Sequence, residues 1–278
     1  MNHLRTLFLA QELNEVKRTL FRLVRLIKMT LDFRKPDRLV IITGSSPTHQ
    51  KSLIQLLVSI NTFAPEAEVH VFDFGLGKTA QDEVISTVRT INFFYKKYDF
   101  SEKPPWMDIS NSNKGEWAWK ADCINTVVKN DLTNAQQMPT TYLWLDAGNK
   151  FINKPQSVLR YIQNYGFWSP SSDGLVEKWT FPKQIDLIVG DTRFNKKVNL
   201  NGAMIGFSSR SSKALDLLKE WFKYSMIREV IAPEGSDKSN HRQDQSLLTL
   251  LAYSGNIAPG PTARNLHLNS ILQHQDIG

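Results

Sequence analysis

The chain has 278 residues, of which 41% are hydrophobic and 22% are charged. This length and composition fit a globular protein with a sizeable core, so disorder is not the expected state of the chain. Its 34 Lys and Arg residues exceed its 27 Asp and Glu residues by seven, giving a net charge of +7. That surplus suits an anionic partner such as a nucleotide diphosphate, an acidic membrane surface or nucleic acid.

The chain contains one cysteine, Cys123. A single cysteine cannot form an intramolecular disulfide or a cysteine-based structural zinc site, so a disulfide-rich secreted scaffold is excluded and a reducing compartment is favoured. No run reaches the roughly 18 apolar residues that a membrane span requires. The short apolar piece at residues 4–10 has no cleavage site after it. We therefore expect a cytoplasmic protein without a signal peptide or a transmembrane anchor.

Residues 1–34 form a segment unlike the rest of the chain. Apolar residues recur at helical spacing from Val16 to Leu31, with lysines and arginines between them, which predicts a basic amphipathic helix ending near Phe33. Such a helix could lie peripherally on the anionic cytoplasmic face of a membrane, or pack on the neighbouring domain with its charges in solvent. It lacks the interleaved aromatic residues typical of single-strand binding, so we expect no nucleic acid partner.

From residue 38 the pattern changes to strands that alternate with helices. This alternation predicts an α/β domain over residues 38–278, with a Rossmann-like, mainly parallel central sheet flanked by helices. Residues 101–116 are rich in Pro, Ser and Asn and predict a loop, and the residues after 258 predict a polar tail. The predicted strands are 39–43, 69–73, 91–95, 142–145 and 202–207, and the predicted helices are 49–63, about 79 onward, 117–130, 155–165, 211–228 and 243–253.

Two of the predicted strands end in residues that could bind a nucleotide. The first ends in Thr43, Gly44 and Ser45, where the N-terminus of the following helix could meet phosphate groups, or where the chain makes only a tight turn. It contains neither a Gly-x-Gly-x-x-Gly run nor a Walker loop, so neither a dinucleotide-binding fold nor an NTPase is supported. The second strand ends at Asp73, before a glycine-containing turn.

A lysine flanked by aromatic residues opens the helix predicted from residue 117. Lys120 could neutralise a phosphate while Trp117 and Trp119 shape a pocket. The alternative is that both tryptophans are core residues and that Lys120 extends its ammonium to solvent along their surface.

The apolar run from Tyr142 to Leu145 is followed at once by Asp146. A charge at the end of a buried strand is tolerable only at a polar crevice or where the charge is paired. Ligands collect at this edge of open α/β sheets, and Ala147 and Gly148 would let a ligand approach the backbone closely. The alternative is a buried aspartate that accepts hydrogen bonds from turn amides.

Two later motifs carry side chains suited to a sugar. Asn201 and Gly202 precede the strand predicted at 202–207, and an Asn amide can both donate to and accept from sugar hydroxyls. Asp244 and Gln245 open the last predicted helix. Asp244 could act as a base towards an acceptor hydroxyl, or it could simply be favoured there by the helix dipole.

Taken in this order, the motifs resemble the glycosyltransferase A fold of the nucleotide-diphospho-sugar transferase superfamily. The resemblance spans about residues 38–258. It rests on a Thr-ended first strand, Asp-Phe-Gly-Leu-Gly after the second strand, a Trp-Lys helix, an apolar strand ending in Asp, an Asn-Gly-Ala strand and a late Asp-Gln helix.

In that superfamily an Asp-x-Asp element binds the nucleotide sugar, usually through a divalent cation. Asp146 matches its first Asp, Gly148 stands where the second would be, and Asn149 is the next oxygen donor. The resemblance therefore implies either weak binding of Mn²⁺ or Mg²⁺ at Asp146 and Asn149, or metal-independent catalysis in which Lys120 neutralises the leaving diphosphate. We assign no ligand role to His267 or His274 in the tail.

The implied reaction moves a sugar from a nucleoside-diphosphate sugar donor to a hydroxyl-bearing glycan acceptor, in a hexosyltransferase-like enzyme of glycan or cell-surface polysaccharide synthesis. In an inverting enzyme Asp244 would be the base, and in a retaining enzyme it would orient donor or acceptor. The alternatives are a noncatalytic nucleotide-sugar or glycan binder of the same fold, and a peripheral membrane module that uses the N-terminal helix. The implied donor site comprises Thr43, Gly44, Ser45, Asp73, Trp119, Lys120, Asp146, Ala147 and Gly148. The implied acceptor site comprises Asn201, Gly202, Asp244 and Gln245. The implied catalytic residues are Asp146 and Asp244.

Overall fold

The computed structural model describes residues 36–89, 92–133, 138–257, 260, 270–273 and 275–277. The helix predicted within residues 1–34, and the histidines His267 and His274, lie outside the described residues. Within the described part of the chain, no helix combines the length and the hydropathy that crossing a membrane would need.

The strands of the domain are numbered in chain order. The described strands are β1 (Arg38–Ser45), β2 (Glu68–Asp73), β3 (Phe93–Lys97), β4 (Thr140–Leu145), β5 (Lys150–Phe151), β6 (Phe167–Trp168), β7 (Ser171–Leu175), β8 (Val198–Leu200), β9 (Met204–Ser208) and β10 (Ile271–Leu272). Six of them form the central sheet, in the order β3-β2-β1-β4-β9-β6. The first four strands in this order run parallel to one another, and β9 runs antiparallel to both β4 and β6.

Helices cover both faces of this sheet, as its buried central strands require. Every residue of β4 is buried, and in β1 the β-branched residues Val40, Ile41 and Ile42 are fully buried, which is the pattern of a parallel strand covered on both sides. The described helices are α1 (Gln50–Phe63), α2 (Lys78–Thr87), α3 (Ala118–Thr133), α4 (Gln156–Tyr165), α5 (Val176–Trp179), α6 (Pro182–Ile188), α7 (Ser212–Ser225), α8 (Arg228–Ile231) and α9 (Gln243–Ser254).

The register brings the ends of β1 and β4 to one edge of the sheet. Ile42 pairs with Trp144, and Ser45 pairs with Asp73. The turns that follow these strands therefore lie side by side, as expected for parallel strands.

The structure differs from several predicted elements, and the strand predicted at 91–95 runs over Phe93–Lys97. The strand predicted at 202–207 begins only at Met204, because the Asn201 side chain accepts the Ala203 N–H at 2.7 Å and holds a turn there. The helix predicted at 211–228 ends at Ser225, and extended backbone at Ile227 separates it from α8. The predicted polar tail includes β10, which pairs antiparallel with β5.

The loop before α3 contains four successive residues with left-handed backbone. The φ angles of Lys114, Gly115, Glu116 and Trp117 are 56°, 62°, 51° and 57°. A Cβ on Gly115 would lie 1.9 Å from the carbonyl oxygen of Met107. Glycine is therefore required at this position both for its φ and for the close approach of the two backbones.

We expect Gly115→Ala to lower the free energy of unfolding by about 3 kcal/mol, because a left-handed Ala costs roughly 1–2 kcal/mol and the Met107 backbone must also move. Denaturant titration measures this loss. Gly190→Ala is the matched control, since Gly190 has a φ of 77° with no atom within 4 Å of the added Cβ, and it should cost only about 1 kcal/mol. Equal losses in the two variants would contradict the steric part of this account.

Candidate active site

A cavity of about 560 Å³ opens at the carboxyl ends of β1 and β4. The end of β1 and the turn after it supply one wall, and the end of β4 and its turn supply another. The loop between β3 and α3 closes a third side. The lining residues are Gly44, Ser45, Ser46, Pro47, Thr48, His49, Phe74, Gly75, Ile109, Ser110, Lys114, Trp117, Trp119, Trp144, Asp146, Ala147, Gly148, Asn149, Ala203 and Asp276.

Lys120, in the first turn of α3, is buried beside this cavity with only 3% of its side chain exposed. Its Nζ donates to the Gly202 carbonyl at 2.7 Å, and lies 3.1 Å from Asp146 Oδ1 and 3.4 Å from Asp244 Oδ2. Burial acts to lower the pKa of Lys120, but the two carboxylates raise it above its ordinary value. The ammonium thus stays charged inside the protein, and the alternative in which it extends to solvent is wrong.

Asp146 faces the cavity, and two neighbouring side chains hold its carboxylate in place. Its side chain is 37% exposed, Trp144 Nε1 donates to its Oδ1 at 2.6 Å, and Lys120 Nζ lies 3.3 Å from its Oδ2. Its partners are an ammonium and an indole, not the turn amides of the alternative interpretation. The carboxylate is therefore fixed in position while part of it remains open to a ligand.

Asp244, in the first turn of α9, is 5% exposed and does not line the cavity. Burial raises the pKa of Asp244 to about 6, with Lys120 acting against this rise and Asp146 adding to it. Its carboxylate contacts the Lys120 ammonium at 3.4 Å. Asp244 also lies in the first turn of α9, where the helix dipole favours a carboxylate, so both interactions stabilise it there.

Aromatic rings form the apolar side of the cavity. The Trp119 ring centroid lies 4.6 Å from that of Phe74 and 6.2 Å from that of Trp144, and Lys120 Nζ lies 5.8 Å from the Trp144 centroid. Trp119 is only 7% exposed and belongs to the main core, so it is at once a core residue and part of the wall.

No protein-family model matches this sequence, and no curated protein matches it. Among solved structures, the apo form of the bifunctional glycosyltransferase WbbM aligns with a TM-score of 0.52 at 9% identity, over 83% of this chain and 40% of WbbM. The chain has the glycosyltransferase A fold. This confirms the predicted fold class, with its mainly parallel central sheet flanked by helices.

Two further structures of this fold class align less closely. The galactosyltransferase LgtC, in complex with donor and acceptor sugar analogues, aligns at 14% identity with a TM-score of 0.46, over 76% of this chain and 70% of LgtC. The core-mannan synthase CmsA/Ktr4 from Aspergillus fumigatus, in its Mn/GDP form, aligns at 7% identity with a TM-score of 0.48, over 80% of this chain and 70% of that chain.

Six of the nine predicted donor residues line the cavity, Lys120 is buried beside it, and Thr43 and Asp73 lie away from its wall. Thr43 is fully buried, and no hydrogen-bond partner for its Oγ1 occurs among the described residues. Asp73 is also fully buried, and its Oδ1 accepts the N–H groups of Gly75 and Leu76 at 2.8 and 2.5 Å. The Asp73 carboxylate thus holds the turn between β2 and α2.

Two of the predicted acceptor residues, Gly202 and Asp244, contact Lys120, and none of the four lines the cavity. Gly202 offers its carbonyl to Lys120, and a Cβ at this position would lie 3.4 Å from Asp244 Oδ2 and 3.3 Å from the Cβ of Gln245. The Asn201 amide donates to Gln273 Oε1 at 3.1 Å. The structure therefore brings these four residues together, next to the donor-side carboxylate.

Several cavity residues were not predicted as site residues. Thr48 and His49 directly follow the end of β1, and His49 Nδ1 lies 2.9 Å from Thr48 Oγ1. Their position after the first strand could have identified them. Lys114 and Asp276 also line the cavity, but neither sits at a strand end, and no sequence pattern marks them.

The residues around Asp146 fit a divalent cation that is held weakly. Asn149 is 1% exposed, and its Oδ1 is buried without a hydrogen-bond partner among the described residues. Carboxylate and amide oxygens are ligands that Mg²⁺ and Mn²⁺ accept, and Mg²⁺ commonly uses one or two carboxylates together with substrate phosphates and waters. Within the described ranges no three His, Cys, Asp or Glu side chains form a metal-binding group.

Replacing the buried ammonium should destabilise the protein. Lys120→Met leaves two neighbouring carboxylates without their cation, and we expect a loss of about 3 kcal/mol in the free energy of unfolding at pH 7. Lys78→Met is the control, because Lys78 is 80% exposed in its pair with Asp82 and should cost less than about 0.5 kcal/mol. Denaturant titration of both variants measures the two losses in the free energy of unfolding. Equal losses would show that the buried ion pairs of Lys120 contribute no more than the surface pair of Lys78.

The raised pKa of Asp244 predicts a specific pH dependence. Folded Asp244 binds its proton more tightly than the unfolded chain does, so its contribution to stability is fully present below pH 3.8 and is lost as the pH rises through about 6. Between pH 4 and pH 7 the wild type should lose roughly 2–3 kcal/mol relative to Asp244→Asn, which cannot titrate. Unfolding titrations across this range test the sign, and a constant difference between the two proteins would refute it.

Proposed function

We propose that this protein is a glycosyltransferase that moves a sugar from a nucleoside-diphosphate sugar to a hydroxyl-bearing acceptor. The observation that carries the proposal is Asp146, a partly exposed carboxylate at the end of β4, fixed by a buried ammonium beside a cavity of about 560 Å³. The glycosyltransferase A fold places this cavity at the strand ends where ligands collect. The volume suits a nucleotide sugar, since small-molecule pockets span roughly 300–1,000 Å³.

The donor diphosphate would lie beside Asp146. When bound there, a divalent cation held by Asp146 and Asn149 would neutralise the leaving diphosphate as a Lewis acid. Lys120 and Trp144 fix the Asp146 carboxylate through contacts of 3.1 and 2.6 Å, so that the carboxylate needs little reorganisation on binding. Lys114, on the cavity wall, supplies a second positive charge within reach of phosphate oxygens.

The remaining walls would bind the other parts of the donor. The hydroxyl groups of Ser46 and Thr48 and the ring of His49 offer hydrogen bonds to a nucleoside. Phe74 and Trp119 offer apolar surface and exclude water from the reacting bond.

We assign Asp244 to positioning rather than to proton abstraction. Its carboxylate is buried, faces Lys120, and stays off the cavity wall. A base must come within hydrogen-bond reach of the acceptor hydroxyl, and the geometry of Asp244 instead suits holding Lys120 and, through it, Asp146. Asn201 is also largely buried, and its amide is engaged by Gln273 and by the Ala203 N–H. Gln245, which is partly exposed beside the Gly202 turn, remains the candidate for contacting the acceptor from that side.

The proposal predicts that Asp146→Asn loses the donor-dependent functions while keeping the fold. In a thermal-shift screen across nucleoside-diphosphate sugars, with Mn²⁺ and with chelator, the wild type should be stabilised by one donor class. Asp146→Asn should lose that stabilisation, and its sugar transfer or donor hydrolysis should fall by about 100-fold or more.

Asp173→Asn is the matched control, because Asp173 is exposed on β7 and does not line the cavity. It should retain both donor stabilisation and turnover. A wild type that neither binds nor hydrolyses any nucleoside-diphosphate sugar would count against the proposal. A wild type that binds donor without turnover, and whose Asp146→Asn variant leaves glycan output in cells unchanged, would identify a noncatalytic binder.

A further inference from the structure

We infer that Asp276, from the C-terminal segment, supplies the second carboxylate of a divalent cation site at Asp146, in the place left open by Gly148. The inference deepens the proposed function and rests on it for the role of the cation in transfer. Cation binding itself is a separate property, and it can be measured without substrate or turnover.

The contact between Gly148 and Asp276 is the central observation. A Cβ on Gly148 would lie 2.5 Å from Asp276 Oδ1 and 2.7 Å from Asp276 Oδ2. At such distances one of the two groups must shift, so the carboxylate of residue 276 occupies the space in which a side chain at residue 148 would begin. A side chain at 148 would move the exposed Asp276 carboxylate away from this corner of the cavity, and in this chain the glycine leaves the corner to Asp276.

The backbone on both sides of Asp276 is anchored. The N–H of Gln275 donates to the Gly148 carbonyl at 2.8 Å, and the N–H of Ile277 donates to Ser52 Oγ at 2.9 Å. These bonds use the backbone and leave the carboxylate free, and none of the described residues donates a hydrogen bond to it. An anchored, exposed carboxylate that lines the same cavity as Asp146 is available to a cation.

A second observation points to a ligand at this corner. The Asn149 amide nitrogen donates to the carbonyls of Asp146 and Ala203 at 2.8 and 3.0 Å, which fixes the orientation of the amide. The other end of this amide is Oδ1, and this atom is buried without a hydrogen-bond partner in the described part of the chain. A buried acceptor without a hydrogen bond costs free energy. A cation, or a water bound to it, would give this oxygen a partner.

The charges of the cavity residues also favour a bound cation. Asp146 and Asp276 carry two negative charges on the wall, against one positive charge from Lys114, and the Lys120 ammonium is already engaged by Asp146, Asp244 and the Gly202 carbonyl. A divalent cation between the two carboxylates and an anionic diphosphate would replace their mutual repulsion by attraction. Two carboxylates and one amide oxygen suit Mg²⁺ or Mn²⁺, with phosphate oxygens and waters completing the shell.

Titration of the full chain with Mn²⁺ alone, followed by the electron paramagnetic resonance signal of free Mn²⁺, tests the inference. The wild type should bind one ion. Asp276→Asn keeps the shape of the side chain and the backbone anchors, and should weaken Mn²⁺ binding by about tenfold or more through loss of one ligand. Asp173→Asn should bind as the wild type does, and thermal unfolding confirms that each variant is folded.

A swap variant separates a ligand role from a merely structural one. Gly148→Asp alone should displace the Asp276 carboxylate. Gly148→Asp combined with Asp276→Gly moves the acid to the neighbouring position and should restore much of the lost Mn²⁺ affinity. Undiminished binding in Asp276→Asn would overturn the inference, and so would a swap variant that folds but stays as weak as Asp276→Asn.

The outcomes also distinguish this inference from the proposed function. A wild type that transfers sugar in the presence of chelator and binds no Mn²⁺ would overturn the cation site and leave the transferase intact. A wild type that binds Mn²⁺ through Asp276 but turns over no donor would retain the site and reject the transferase.

Discussion

One buried ammonium holds the centre of this protein together. The Nζ of Lys120 contacts the carboxylates of Asp146 and Asp244 and the carbonyl of Gly202, so α3, the end of β4, the turn before β9 and the start of α9 meet at a single atom. A buried charge is tolerable only with such partners. The position of Asp146 in the cavity follows from this requirement, because one of the partners of the ammonium must be the residue at the strand end.

The same interaction determines the electrostatics of the cavity. Because Lys120 is surrounded by two carboxylates, its charge is largely neutralised before any ligand arrives. The charged residues that line the cavity are Asp146, Asp276 and Lys114. Under the proposed function, a divalent cation would reconcile the two carboxylates with a diphosphate, using oxygen ligands from the turn after β4 and from the C-terminal segment.

The sequence predicted the sheet well because its central strands are unusual stretches of sequence. Val40, Ile41 and Ile42 in β1, and the apolar run of β4, can be buried only in the middle of a covered sheet, and this places Asp146 at the strand end. Local patterns also predicted the start of α3 and hence the proximity of Lys120. The order of these elements was enough to identify the glycosyltransferase A fold.

Long-range packing is what the sequence could not predict. Nothing near Asp244 indicates that its carboxylate turns inward to Lys120, because a carboxylate in the first turn of a helix is also explained by the helix dipole. Asp73 shows the reverse, since its place at a strand end suggests a ligand while its oxygens hold a turn. Asp276 lies in a polar tail without periodicity, and only the fold brings it to Gly148.

The C-terminal segment closes one wall of the cavity through contacts that are very distant in sequence. Ile277 bonds to Ser52 across 225 positions of sequence, and Ile271 pairs with Phe151 in β5. Contacts of such separation carry a larger entropic cost of loop closure than the strand pairs of the central sheet, which join residues closer in sequence. The wall beside Gly148, which contains Asp276, is therefore expected to form later in folding than the sheet that supports it.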